Sequence, residues 1–467
     1  MKGVAFLSCV TLANGQAAGT LTEEKHPQID YHVCGKSGCK KHTTGVVIDS
    51  NWRWTHVAGE TTNCYTGNLW DEKLCPDEAT CSKNCVIEGA DKEYEGTYGV
   101  KTKGSELSLQ FVTEGPYTTN VGSRLYMMNG EDKYKMFHMK NREFTFTVDD
   151  SEVGCGLNGA LYFVQMDEDG GASKYKKYSK NAGAKYGTGY CDAQCPHDMK
   201  WIHGRANLVD WKPSDVDDNA GTGKYGTCCT EIDLWEANKH ATAFTMHACD
   251  HQDYRCSGDA CGDNGETRFK GVCDKNGCDI QHNRFEGASQ TFYGAGSKYK
   301  VNGNEKVQVT TQFITADGTD SGKLTEVKQF YTQNGKTIHH PHYGINGNKH
   351  NSITDAMCKD WVSDTKDGTN FLEKGGMQAV DDAFTKGVVL VMSFWDDHYA
   401  NMLWLDSQYP IDADPIADKG TYRGPCSITS GNAKDLEKNV PNSTVRFSDI
   451  RWGPIGSTVA TSDDITV

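Results

Sequence analysis

Along this chain, apolar residues recur mainly at every second position. Leu107, Leu109 and Phe111 alternate with polar neighbours, as do Phe144, Phe146 and Val148. Val307 and Val309, Val445 and Phe447, and Ile450 and Trp452 continue the pattern, and Gly, Asn or Asp bound each run. A period of two places alternate side chains on one face of a strand, so these segments predict half-buried β-strands. Asn334-Gly335 separates two such runs and predicts a tight hairpin. Residues 388–395 are apolar except for Ser393, which predicts a strand covered on both faces. Helical spacing is scarce and is best at 354–362 and 377–385. No Pro/Ser/Thr-rich linker and no repeat divides the chain. The pattern predicts one large all-β antiparallel sandwich carrying long loops.

Composition narrows the class. With 37% hydrophobic and 10% aromatic residues the chain is too apolar for disorder, yet it has no run long enough to span a bilayer. A net charge of −15 without a basic tract argues against nucleic acid or an anionic membrane as partner. Met1-Lys2, an apolar stretch at 4–12 and the small residues Ala13-Asn14-Gly15 have the form of a secretory leader. Cleavage before Gln16 is therefore expected, leaving a body at 16–458 and a polar tail at 459–467, with no separate module. Of the 19 cysteines, Cys9 would leave with the leader. The even remainder, without CxxC or CxxH knuckles, predicts disulfides in an extracellular setting rather than zinc sites. Asn442-Ser443-Thr444 is an N-glycosylation sequon.

The chemical clue is Glu231-Ile232-Asp233-Leu234-Trp235-Glu236. On a strand Glu231 and Asp233 share a face, whereas Glu236 has the wrong parity unless a β-bulge absorbs one residue. With a bulge, all three acids point into one cleft, as a retaining glycosidase requires of its paired carboxylates. Three close acids also describe a solvated strand edge, and spacing alone leaves both readings open. Sugars stack on flat aromatics, and Trp52 and Trp54 stand at strand spacing in Asn51-Trp52-Arg53-Trp54. Trp395 and Trp404 lie among acids and amides. Core packing is the alternative for each.

Several long segments together resemble the catalytic module of glycoside hydrolase family 7, the cellobiohydrolases and endoglucanases acting on cellulose. They include Val47-Ile48-Asp49-Ser50-Asn51-Trp52-Arg53-Trp54-Thr55-His56, Cys155-Gly156-Leu157-Asn158-Gly159-Ala160-Leu161-Tyr162-Phe163 and Ala184-Lys185-Tyr186-Gly187-Thr188-Gly189-Tyr190-Cys191-Asp192, besides the acid segment itself. The resemblance implies a concanavalin-like jelly roll whose disulfide-braced loops form a substrate tunnel. It implies Glu231 as nucleophile, Glu236 as acid/base, Asp233 as auxiliary acid and His247 as a supporting residue. Trp54, Trp52, Trp395 and Trp404 match stacking platforms; Tyr162, Asp192, Gln194, Lys200 and Arg124 match residues along the glucan path. Arg268, Asp279, Arg284 and Arg423 match the product end, and Tyr399 belongs to an enclosing loop. The loops at 211–226, 256–268 and 398–401 have the lengths of enclosed members, which implies release of cellobiose from reducing ends. Against the family pattern, the loop at 261–268 is one residue shorter and carries Glu266-Thr267 in place of a loop-tip Tyr. Asn276 stands where an acid is common, and Gly19 and Val86 stand where some members have cysteines. The expected function is a secreted, monomeric, retaining cellulase acting on cellulose and cello-oligosaccharides, without cofactor or metal. An open-cleft endoglucanase, a silent lectin-like sandwich and a zinc enzyme built on Cys pairs or on His339, His340 and His342 are the competing readings.

Overall fold

Fourteen strands and three helices suffice to place the site in the computed structural model, which describes residues 15–459 except 177, 178, 181, 286–289, 366, 367 and 416. The strands are β1 Gln28–Gly35, β2 Gly38–Ile48, β3 Glu106–Gln110, β4 Ser123–Met127, β5 Arg142–Asp149, β6 Leu157–Val164 and β7 Glu231–Ala237. They continue with β8 Thr242–His247, β9 Cys278–Gln281, β10 Val307–Thr315, β11 Leu324–Gln333, β12 Lys336–His339, β13 Val388–Asp396 and β14 Thr444–Pro454. The helices are α1 Asp355–Thr365, α2 Gly376–Lys386 and α3 Ala433–Asn439.

One hydrogen-bonded path runs β9-β8-β7-β6-β13-β4-β2-β1-β14-β5-β10-β11-β12, with β3 also paired to β14. The long strand β2 bends the path over on itself: residues 38–45 pair with β1 and residues 46–48 with β4. Two layers result, antiparallel except at β1–β14. Their inner faces meet in one core, where Phe163 contacts Phe144 at 5.2 Å between ring centres and Trp235 contacts Tyr331 at 5.9 Å. The alternating residues Leu107, Leu109, Phe144, Phe146, Val309 and Phe447 are all fully buried there. The predicted sandwich is thus the observed fold.

Local expectations hold in detail. Asn334 and Gly335 both adopt positive φ, 52° and 73°, which twists the β11–β12 hairpin as a two-residue turn requires. The apolar run at 388–395 is β13, with Val388 through Phe394 buried on both faces, and the two predicted helices are α1 and α2. Ile450 and Trp452 follow Val445 and Phe447 out of parity because β14 slips register against β5 between Ser448 and Arg451. One reading needs correction. Asn51-Trp52-Arg53-Trp54 is a turn rather than a strand: Asp49 Oδ1 accepts the Asn51 N–H at 2.6 Å, and the Trp52 and Arg53 amides bond back to the Asp49 and Ser50 carbonyls. At the end of the expected body, buried Thr458 donates its N–H and hydroxyl to Glu143, each at 2.7 Å.

Nine disulfides join the eighteen cysteines among the described residues. Residues 1–14, with Cys9 and most of the expected leader, lie outside them, as does most of the expected tail. No helix among them is long and apolar enough to cross a membrane.

His339 and His342 are exposed and His340 is buried. Neither His340 ring nitrogen has a partner among the described residues, and the ring packs on His282, Phe292 and Tyr331. Burial holds its imidazole down to about 3, against 6.5 for an unperturbed histidine. Below pH 6.5 the unfolded chain binds a proton that the folded chain refuses, so stability present at neutral pH is lost as the pH falls. His340→Phe is expected to stabilise the fold more at pH 5 than at pH 8, by roughly 2 kcal/mol in denaturant titrations. Equal effects at both pH values would contradict the burial argument.

Candidate active site

On the outer face of the layer that holds β7, strand register sets the neighbours of each acid. Glu231 opposes Val164 and His247; Asp233 opposes Tyr162 and Thr245. Between Asp233 and Glu236 the strand advances three residues while β8 advances two, from Thr245 to Ala243. Against β6, Asp233 and Trp235 oppose the consecutive residues Tyr162 and Leu161, so Leu234 is the extra residue. This bulge sends Ile232, Leu234 and Trp235 into the core and leaves Glu231, Asp233 and Glu236 on the outer face. Buried Trp235 is held there by its indole N–H, which donates to Asp150 Oδ2 at 2.9 Å.

Each acid has its own partners. Glu231 Oε2 accepts the Ala193 N–H at 3.0 Å. Ala193 is presented by a tight turn that Cys191–Cys229 and Cys195–Cys228 pin to the two residues just ahead of β7. The adjacent cysteines thus fix a backbone donor over the first acid. Asp233 faces His247, Oδ2 to Nε2 3.2 Å, while His247 Nδ1 lies 2.8 Å from the Asp274 carbonyl. Glu236 Oε1 accepts from Asn158 Nδ2 at 3.0 Å, and Asn158 Oδ1 in turn accepts the Ala237 N–H at 3.0 Å. Asn158 therefore braces both the acid and the bulge. It was not among the expected site residues, although its polarity in an apolar strand, at the parity of Tyr162, was a usable signal.

Burial dominates the electrostatics. Desolvation, followed by the negative charges of Asp233 and Asp192, raises Glu231 well above the ordinary carboxyl range. Desolvation and the nearby Glu236 raise Asp233 likewise. Desolvation raises Glu236 to about 7, opposed by His247 and the Asn158 hydrogen bond. Three carboxyl groups so close share protons rather than ionising together. Ligand atoms of Glu231, Asp233 and His247 lie within 4.8 Å of one another, so the trio could also hold a cation.

The strand order sets Arg124 of β4 on one side of the acids and Asp279 of β9 on the other. On one side Arg124 lies between Tyr190 and Trp52, with its guanidinium carbon 3.4 and 5.2 Å from the ring centres, and donates to Asp49 Oδ2 at 2.8 Å. Trp54, stacked on His56 at 3.9 Å, is 36% exposed beside it. Lys200 reaches the Arg53 carbonyl at 3.3 Å, and desolvation lowers it to about 8. Near the acids, the Tyr162 and Tyr190 hydroxyls are 2.8 Å apart, Asp192 caps its own turn through the Gln194 N–H, and Gln194 is exposed.

Beyond Glu236, Trp395 and Trp404 stack at 6.2 Å. Asp279, on the same face two strands from β7, pairs with Arg284. Arg268 donates to Asn276 Oδ1 at 2.8 Å, and Arg423 reaches Gln281 Oε1 at 3.4 Å and the Trp404 carbonyl at 3.3 Å. Tyr399, 75% exposed, meets Ser214 of the loop at 211–226, hydroxyl to hydroxyl 3.2 Å.

A β-sandwich with paired carboxylates on a bulged strand, flanked by indoles and amides, has the make-up of a glycosidase. Comparison with known proteins specifies the kind. The profile described as glycosyl hydrolase family 7 matches residues 18–459, and the chain belongs to that family. It is 51% identical over 458 residues to exoglucanase GH7B of Limnoria quadripunctata, covering 97% of this chain and 98% of that one. The crystal structure of a family 7 cellobiohydrolase from Daphnia pulex superposes with a TM-score of 0.92 at 48% identity, covering 95% of this chain and 100% of that one. A cellobiohydrolase from Melanocarpus albomyces complexed with cellotetraose gives 0.88 at 44% identity, with the same coverage.

Proposed function

We propose that the protein is a retaining cellulase that works processively from the reducing ends of cellulose and releases cellobiose. The observation that carries this reading is the Leu234 bulge, which brings Glu231, Asp233 and Glu236 to one face. Glu231 attacks the anomeric carbon while Glu236 protonates the departing glycosidic oxygen. A covalent glycosyl-enzyme forms; Glu236 then takes a proton from water, which displaces Glu231 with net retention. The Ala193 amide steadies the Glu231 carboxylate, and Asp233, backed by His247, holds its proton balance. The indoles stack the glucan, and Arg268, Asp279, Arg284 and Arg423 hold the departing disaccharide.

The roof contact between Tyr399 and Ser214 favours an enclosed path over an open cleft, as do the names exoglucanase and cellobiohydrolase borne by the relatives of 44–51% identity, where the endoglucanases stand at 34%. Residues 16–458 form the catalytic domain in this reading, following a cleaved leader, and the protein works as an extracellular monomer; its disulfides suit that compartment. Reducing-end-labelled cello-oligosaccharides test the reading. Labelled cellobiose is the expected first product, and a dominant mixture of longer labelled fragments would show internal cutting instead.

The acid/base assignment has a pH consequence. Glu236 must enter the reaction protonated, so kcat/KM is expected to fall as pH rises through about 7. The Asn158 hydrogen bond favours the ionised form, so Asn158→Ala should move this alkaline limb upward. A downward shift would exclude Glu236 as the group reporting it.

A further inference from the structure

The Tyr399–Ser214 contact is a single exposed hydrogen bond, too little to hold a loop shut over a groove. Beside it stands a better-built junction. His398 is mostly covered, with 13% of its side chain exposed. Its Nδ1 lies 3.0 Å from the carbonyl of Val216, in the loop at 211–226, and its Nε2 lies 3.1 Å from Glu437 of α3. Asp217 of the loop and Asp396 at the end of β13 are each 4.0 Å from Nε2. Lys434 of α3 pairs with Asp218 of the loop at 3.7 Å. The other side of the loop is tied to Asn68, whose Nδ2 donates to the Ser214 and Asp217 carbonyls, each at 3.1 Å.

We propose that His398 is the clasp of the roof, a positioning residue that ties the loop at 211–226 to α3 and β13 and so sets how long a glucan chain stays threaded. The proposal rests on the cellulase reading. Meeting both Val216 and Glu437 takes two N–H donors, and an imidazole has two only when protonated. The Glu437 hydrogen bond and the charges of Asp396 and Asp217 outweigh desolvation and raise His398 to about 9. The imidazole is therefore charged at neutral and acid pH and loses its charge in alkali, whereas Asp396, which burial raises to about 7, gives up its own charge below neutral pH and leaves Glu437 and Asp217 facing the imidazole. Through the Asp397 carboxylate, which accepts the Tyr399 amide at 2.9 Å and the Trp404 indole N–H at 3.0 Å, the same turn carries both the roof tyrosine and a stacking platform.

The test measures dissociation of fluorescent cellohexaose from Glu231→Gln protein, with and without His398→Ala. At pH 6 the added substitution is expected to speed release about tenfold, the equivalent of about 1.4 kcal/mol. The two release rates should converge above pH 9, where His398 is neutral in any case. A purely structural role would leave their ratio flat across pH. Glu437→Gln and Asp217→Asn, which weaken the junction from opposite sides, are each expected to speed release several-fold and serve if His398→Ala does not fold. Unchanged release in these variants would overturn the clasp, even in a protein that hydrolyses cellulose. Failure of the parent to cleave cellulose or to bind cellohexaose would instead remove the cellulase reading.

Discussion

Glu231→Gln is expected to lower cellulose turnover by roughly four orders of magnitude or more while leaving cello-oligosaccharide binding largely intact. The amide keeps the size of the carboxylate and can still accept the Ala193 N–H, so the groove should keep its shape. An uncharged amide oxygen is too weak a nucleophile to form the glycosyl-enzyme, and the first step stops. Steady-state hydrolysis together with calorimetric binding of cellotetraose checks both halves. Turnover at the parent rate would refute the nucleophile assignment. A parent with binding but no turnover would favour the lectin-like alternative, in which the acids are only polar lining.

The second large effect is on stability. Arg53, between Trp52 and Trp54 in sequence, is fully buried with Glu24. Glu24 receives both terminal guanidinium nitrogens, at 2.6 and 3.1 Å, the Tyr94 hydroxyl at 2.6 Å and the Ala90 N–H at 2.8 Å. Arg53 Nε donates to the Tyr186 carbonyl at 2.9 Å. Glu24→Gln leaves a buried cation without its counter-charge and is expected to cost about 3–5 kcal/mol in denaturant unfolding. Combining it with Arg53→Met removes the charge itself and should recover part of that loss. Strict additivity of the two losses would sink the explanation. Because Arg53 sits inside the Trp52–Trp54 turn, the single variant is also expected to weaken glucan binding on that side.

The turn shows where sequence reading stops. Alternation made Trp52 and Trp54 look like strand neighbours, but Asp49 bonds the Asn51 amide, and Arg53 turns inward to Glu24. That partner is 29 residues away, and no local pattern announces it. Asn158 was missed for a related reason: its partners Glu236 and Ala237 become neighbours only through β6–β7 pairing. The disulfide partners were equally out of reach, because Cys155 and Cys426 are separated by 271 residues.

The bulge divides the two kinds of information. Period-two alternation determined the sandwich, the β13 core strand and the hairpin at Asn334-Gly335, because local side-chain direction follows from position parity alone. The acid spacing likewise stated a condition: Glu231, Asp233 and Glu236 could act together only if one residue were absorbed. Only the tertiary structure decided that Leu234 is that residue, since a bulge is defined by the register of two partner strands. It alone brought the loop at 211–226 against Tyr399 and His398, because closing a roof depends on contacts between segments nearly 200 residues apart, 185 in the case of Ser214 and Tyr399.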